Sequence, residues 1–206
     1  MKGTFITFEG CEGSGKSTQI SLYKNYLDKL GVDYLFVREP GGTEISEQIR
    51  KIILDVNNSE MCDQAEALLY ASARAQLISE KILPALNQGK IVLCDRYIDS
   101  SFAYQAYARG LGFDFISKIN SYAIDNCMPT KTVFLNISSK DAFLRKGGAD
   151  KDDRLELSGA DFHQKVYEGY VELSKKFPER FIMIDCSGEK FETHQKIIDA
   201  LKNYVQ

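Results

Sequence analysis

The chain has 206 residues, 26 Lys and Arg against 29 Asp and Glu, a formal net charge of −3 and 44% hydrophobic residues. These values suit one compact domain with a full-sized core, and they provide no overall basic field to recruit nucleic acid. No apolar run is long enough to span a membrane, and no signal-peptide pattern precedes the first strand-like run. Five scattered cysteines, Cys11, Cys62, Cys94, Cys127 and Cys186, form no C-x-x-C pair. They read as reduced thiols of a cytoplasmic protein.

Residues 3–9, GTFITFE, are apolar and β-branched and predict a strand. Gly10–Thr18, GCEGSGKST, then carries the G-x-x-x-x-G-K-[ST] spacing of a phosphate loop. In such a loop, Gly10, Gly13 and Gly15 let backbone N–H groups turn inward around a phosphate. Lys16 reaches the outer phosphates, and the Ser17 hydroxyl suits Mg²⁺. Cys11 lies inside the loop, where backbone N–H groups rather than a thiolate are needed, so it reads as a space-filler. A helix over 16–30 follows, stopped by Gly31, with its positive dipole end toward the anion.

The next strand, 34–39, ends in REPGGTE, so Arg38 closes it just before the turn at Pro40-Gly41-Gly42. Helical spacing predicts elements over 43–55 and 62–87, the second containing Tyr70 and Arg74 on one face. Two uses of this pair stay open at this point. Either it forms a base-recognition pocket, or Tyr70 packs in the core while Arg74 pairs with an acid such as Glu66. The strand at 90–96 ends in Cys94-Asp95-Arg96, which places an Mg²⁺-linked carboxylate and an arginine fork at a strand end. A helix over 100–125, a strand over 131–137, a polar glycine-containing stretch Arg145–Gly159, a helix over 159–176, a strand over 180–186 and a helix over 189–205 complete the chain. His163 and His194 fall outside every motif and receive no role. Strands separated by helices imply an α/β fold, a parallel sheet covered on both faces. Its ligands belong at the carboxyl ends of the strands. Two arginines there, beyond a phosphate loop, suit a kinase whose acceptor already carries a phosphate.

The FEGCEGSGKST loop, REPGGT, the Tyr70/Arg74 pair, DRYIDSSFAYQ and DRLE occur in an order and spacing that resemble the thymidylate kinase family, over about residues 3–175. The resemblance implies a P-loop nucleotide kinase fold of five parallel strands with a short lid at about 145–159, in one domain over 1–206. It also implies transfer of the γ-phosphoryl of ATP to dTMP with Mg²⁺, in dTTP synthesis, by a cytoplasmic homodimer. The loop is of the bacterial type, with Gly13 where some relatives carry an arginine.

Carried onto matching positions, the family's roles give ATP to Gly10, Cys11, Glu12, Gly13, Ser14, Gly15, Lys16, Ser17 and Thr18, and metal to Ser17 and Asp95. Glu12 would meet the 3′-hydroxyl of dTMP, while Arg38 and Arg96 would grip its 5′-phosphate. Tyr70 would lie against the thymine ring, Arg74 would donate to O4, and Ser101 and Gln105 would address the base edge. Tyr104 would crowd the ribose 2′ position, and the Glu39–Pro40 bond is expected to be cis. A donor aimed at a carbonyl rejects an amine strongly, while a missing methyl costs only about 1–3 kcal/mol. Poorer use of dCMP than of dUMP follows. The sequence departs from its relatives in the lid, where Gly147-Gly148-Ala149-Asp150 replaces the usual arginines. Arg154 is the first candidate to reach the transferring phosphate and Arg145 the second. For Arg154 a structural pairing to Glu156 competes, and Lys146 and Lys151 read as solvated lid charges. Two alternatives from outside this assignment are a kinase for another nucleoside monophosphate and a P-loop ATPase or GTPase. The second leaves Arg38 and Arg96 without a use.

Overall fold

The computed structural model describes residues 3–145, 154–155 and 158–205. Most of the expected lid, including Lys146, Lys151, Glu156 and the run Gly147–Asp150, therefore lies outside the described residues. Five parallel strands, β1 (Phe5–Glu9), β2 (Tyr34–Arg38), β3 (Ile91–Asp95), β4 (Lys131–Asn136) and β5 (Phe181–Asp185), form one sheet in the order β2-β3-β1-β4-β5. Every residue of β1 is buried, as are the central residues of β3 and β4. This matches their unbroken apolar runs and the cover a parallel sheet needs on both faces. The edge strands β2 and β5 are partly exposed.

The helices are α1 (Lys16–Lys29), α2 (Glu44–Leu54), α3 (Asp63–Leu77), α4 (Leu83–Asn87), α5 (Ile98–Ser101), α6 (Phe113–Ile119), α7 (Ser121–Asn126), α8 (Ser139–Arg145), α9 (Ala160–Lys176) and α10 (Lys190–Leu201). Thr43 caps α2 by accepting from the Ser46 N–H, and Glu189 with Glu192 forms a capping box on α10. The helical stretch predicted over 62–87 is α3 and α4 joined by a π turn, Ile78–Ile82. That turn ends two residues before Pro84, whose missing N–H and ring cannot continue the i→i−4 ladder.

The single helix expected over 100–125 is not one helix. It divides into α5, a π turn at Phe102–Ala108, α6 and α7. Gly110 and Gly112 take φ of 75° and 81°, which turn the chain out of the helical path. Further on, the Asn120 side chain donates to the Ile116 carbonyl between α6 and α7. Helix α8 was not expected as an element of its own. Its start is marked by Ser138, whose hydroxyl accepts from the Asp141 N–H.

Register brings the site together. Arg38 pairs with Asp95 across β2 and β3, and Phe8 pairs with Asp95 across β1 and β3. The loops after β1, β2 and β3 therefore leave the sheet at one level, at its carboxyl edge, where a ligand of such a sheet sits.

Candidate active site

The loop after β1 closes on α1 at Gly15, whose φ of 92° places it as the helix N-cap without a side chain in the way. Lys16 is buried, its Nζ donating to the carbonyls of Gly10 at 3.2 Å and Cys11 at 3.4 Å. Burial draws its pKa down, and the nearby Arg96 charge adds to that, against Glu12, Asp95 and Glu9. Burial also pushes the Cys11 thiol up to about 11, so the loop cysteine carries no thiolate at neutral pH.

A cavity of about 310 Å³ opens beside this loop. It is lined by Lys16, Ser17, Arg38, Asp95 and Arg96 together with Tyr70, Arg74, Ser101, Tyr104 and Gln105, and by Glu12 and Pro40. Arg96 is the non-glycine residue with positive φ, 65°, among the described residues. Such backbone persists where its surroundings hold it. Here the Arg96 N–H donates to the Phe8 carbonyl at 3.0 Å, and the Cys94 thiol donates to the Arg96 carbonyl. The turn aims the guanidinium into the cavity. Its Nη1 donates to Gly10 O, Ser100 Oγ and Tyr170 Oη, and its Nη2 to Glu12. It lies over the Tyr104 ring, 5.1 Å from the centroid.

Arg38 is partly exposed and shared. It donates to Pro40 O at 2.8 Å and to both oxygens of Glu47. Arg50, which the sequence did not single out, also lines the cavity and donates to the same Pro40 carbonyl. The Glu39–Pro40 bond is cis.

Arg74 is only 1% exposed, and all five of its N–H groups are placed. Nε and Nη2 donate to Glu39 Oε2 at 2.8 and 2.6 Å, Nη2 also to Tyr97 O, and Nη1 to Ser101 Oγ and Asn120 Oδ1. Its acid is therefore Glu39, not the Glu66 that helical proximity suggested. Glu66, 0% exposed, instead accepts from Gln105, Arg109 and Arg154.

The two lid candidates, Arg154 and Arg145, each contact a different part of the chain. Arg154 donates to Glu66 and, from Nε, to Ile53 O at 3.0 Å, while its N–H donates to Leu54 O. It is thus anchored to α2 and α3. Arg145 donates to Ser187 O and lines a separate cavity with Ser14, Gly15, Thr18 and Lys190, on the far side of the phosphate loop.

Glu9, Ser100 and Tyr170 were not read as site residues. Glu9 accepts from Tyr97 N–H, Ser100 Oγ and Tyr170 Oη, and the last two also touch Arg96. A carboxylate ending a buried, mostly apolar strand is the available signal, because a buried acid must be satisfied by its neighbours. Burial pushes the Glu9 carboxyl up to about 7, the Asp99 charge adding and Arg96 opposing. His163 also lines the cavity from the first turn of α9, and no motif marks it.

Asp95 is well placed for a metal. Its Oδ1 is buried and has no hydrogen-bond partner among the described residues, in the cavity that Ser17 also lines. No cluster of three or more His, Cys, Asp or Glu able to hold a metal occurs among the described residues. A cation here would draw its other ligands from phosphate oxygens and water, as Mg²⁺ commonly does.

A phosphate loop, paired strand-end arginines and a polar pocket deep enough for a base together define a P-loop nucleoside monophosphate kinase. The model of the family described as thymidylate kinase matches residues 8–197. The chain is 49% identical to the thymidylate kinase of Thermoanaerobacter sp. (strain X514), over the whole of both chains. It is 50% identical to that of Bacillus velezensis, over 98% of each. A solved thymidylate kinase from Ehrlichia chaffeensis superposes with a TM-score of 0.79 at 31% identity, covering 98% of this chain and 99% of that one. The chain belongs to the thymidylate kinase family, enzymes that transfer the γ-phosphoryl of ATP to dTMP to form dTDP.

The buried Glu9 yields a pH-dependent prediction. Its folded-state value of about 7 lies above the ordinary 4.5, so the folded chain holds a proton that the unfolded chain releases. That contribution to stability is complete below about pH 4.5 and is lost as pH rises through about 7. Glu9→Gln keeps the shape, can accept from Tyr97 and can donate toward Ser100 and Tyr170. It should be more stable than the parent at pH 8, by up to about 3 kcal/mol. Denaturant titrations from pH 8 to pH 5 should show that gain shrink steadily, and a gain independent of pH would contradict the shifted carboxyl.

Proposed function

We propose that the residues of this cavity divide the family's reaction between binding, orientation and charge neutralisation. The observation that carries the assignment is that Lys16, Arg38, Asp95 and Arg96 line the same cavity as Tyr70, Arg74, Ser101 and Gln105. The phosphate loop holds the ATP phosphates through its backbone N–H groups and Lys16. Ser17 and Asp95 hold Mg²⁺, which when bound neutralises charge on the transferring group. Arg96, with Arg38, holds the 5′-phosphate of dTMP. Its fork is oriented by Glu12, Ser100 and Tyr170 before the substrate arrives, so little reorganisation remains for the reaction. Arg38 reaches the phosphate by exchanging part of its pairing with Glu47.

At the base end Tyr70 supplies a flat face, and Arg74 reaches the O4 carbonyl by sharing the Nη1 proton it gives to Ser101. Ser101 and Gln105 meet the base edge. Tyr104, fixed between Arg96 and Phe162, fills the space a 2′-hydroxyl would need. The acceptor phosphate is already ionised, so no strong general base is required, and in-line positioning does most of the work. Arg145, which lines a cavity with Ser14, Gly15 and Thr18, serves the adenosine side of the phosphate loop. Arg154 ties the base of the lid to Glu66.

The enzyme acts in the cytoplasm as a homodimer. Ile45 and Ile52, seven residues apart on α2, and Leu68 on the adjoining α3 are large, exposed and apolar, and they offer a face for a second copy. Light scattering should give twice the chain mass of 23.3 kDa, and a monomer at micromolar concentration would remove this part of the reading.

The catalytic reading is tested by ADP production from ATP·Mg²⁺ with dTMP, dUMP, dCMP, the ribose form of TMP, AMP and GMP as acceptors. Turnover should be greatest with dTMP, weaker with dUMP, and lower by 10⁴-fold or so with dCMP, where buried donors are left unpaired. ADP release that ignores the acceptor would overturn the assignment of the base end.

A further inference from the structure

Gln105 sits in the π turn Phe102–Ala108 at the base end of the cavity and is 2% exposed. A primary amide can turn either end to a ligand, its oxygen to accept or its NH₂ to donate. The choice decides which pyrimidine fits, because thymine and uracil carry N3–H where cytosine carries an N3 lone pair. In this structure Gln105 Nε2 donates to Glu66 Oε1 at 2.9 Å. Glu66 is buried on α3, and its Oε2 is held in turn by Arg109 at 3.3 Å and by Arg154. A carboxylate engaged by two guanidinium groups can only accept, so the amide end facing it must be the NH₂. The Gln105 Oε1 takes no hydrogen bond from the described residues and is the end left for the cavity.

We infer that Glu66 is a positioning residue for base selection: it locks the Gln105 amide so that the cavity presents an acceptor to ring N3–H. Turning the amide over to suit cytosine would place its oxygen against the Glu66 carboxylate and strand a buried acceptor, which is costly in a site of low dielectric. The pocket thus rejects cytosine at two positions, at Arg74 by a donor facing an amine and at Gln105 by an acceptor facing a lone pair. Glu66 touches no part of the base itself. The inference rests on the base-end assignment made above.

The test uses the full-length enzyme and kcat/KM for dTMP and dCMP at saturating ATP·Mg²⁺, in the parent, E66Q, E66D, Q105A and E66Q/Q105A. E66Q lets the neighbour donate as well as accept and so frees the amide to turn. The dTMP:dCMP ratio should fall at least tenfold, mainly through KM for the monophosphates, with KM for ATP unchanged. E66D keeps the charge for Arg109 and Arg154 but withdraws it by one methylene from Gln105. It should lose discrimination too, and it decides the question if E66Q does not fold. In the Q105A background, E66Q should change the ratio by less than twofold. An unchanged ratio in a folded Glu66 variant, or an equal effect of E66Q with and without Gln105, would overturn the inference while leaving the base site intact. A parent enzyme that uses dCMP as well as dTMP, or a Q105A variant with the parent's ratio, would overturn the base-end assignment itself.

Discussion

The cavity at the carboxyl edge of the sheet depends on one buried contact, the pairing of Arg74 with Glu39. The two groups come from different elements, α3 and the turn after β2, and neither is exposed to any useful degree. A guanidinium taken out of water is tolerated only if its charge and its donors are met. Arg74 meets that demand by gathering Glu39, Tyr97 O, Ser101 and Asn120 around one plane. In doing so it fixes the end of β2, the start of α5 and the α6–α7 junction relative to α3. This part of the cavity wall is thus tied together through the donors of one buried guanidinium. Removing one partner leaves a buried charge rather than a merely weaker contact.

The same logic recurs along the cavity. Glu66 gathers Gln105, Arg109 and Arg154, and Glu9 gathers Tyr97, Ser100 and Tyr170, the last two of which steady Arg96. Three buried acids, Glu39, Glu66 and Glu9, thus set the direction of the groups that line the cavity. Chemistry of phosphoryl transfer asks a protein mainly for placed charge, and buried carboxylates are how this chain places it. The phosphate loop differs in kind, since its N–H groups are oriented by backbone alone.

The strands and the phosphate loop were legible from sequence because each depends on local pattern. β1 to β5 fall within a residue or two of their apolar runs, and Gly15-Lys16-Ser17 sits at the start of α1 as the motif requires. The cavity-lining positions of REPGG and DRY were legible because parallel strands bring their ends to one edge. What was not legible is what depends on distant pairing. Glu39 lies next to a recognised arginine in sequence, yet its partner is 35 residues away. Glu66 lies one helix turn from Tyr70, yet it faces Gln105, 39 residues on. The break within 100–125 is hidden by apolar residues that continue on both sides of Gly110 and Gly112, whose positive φ turns the chain out of the helical path. Arg154, the first lid candidate of the resemblance, donates to Glu66 in the described structure, a contact that no spacing in the chain announces.

The most direct test of this account is a structure of the protein with dTMP bound. The account predicts the 5′-phosphate between Arg38 and Arg96, and the thymine ring against Tyr70. The base edge should face Arg74, Ser101 and the oxygen of Gln105, with the Arg74–Glu39 pair undisturbed. A base bound away from Gln105, or a phosphate that meets neither arginine, would contradict it.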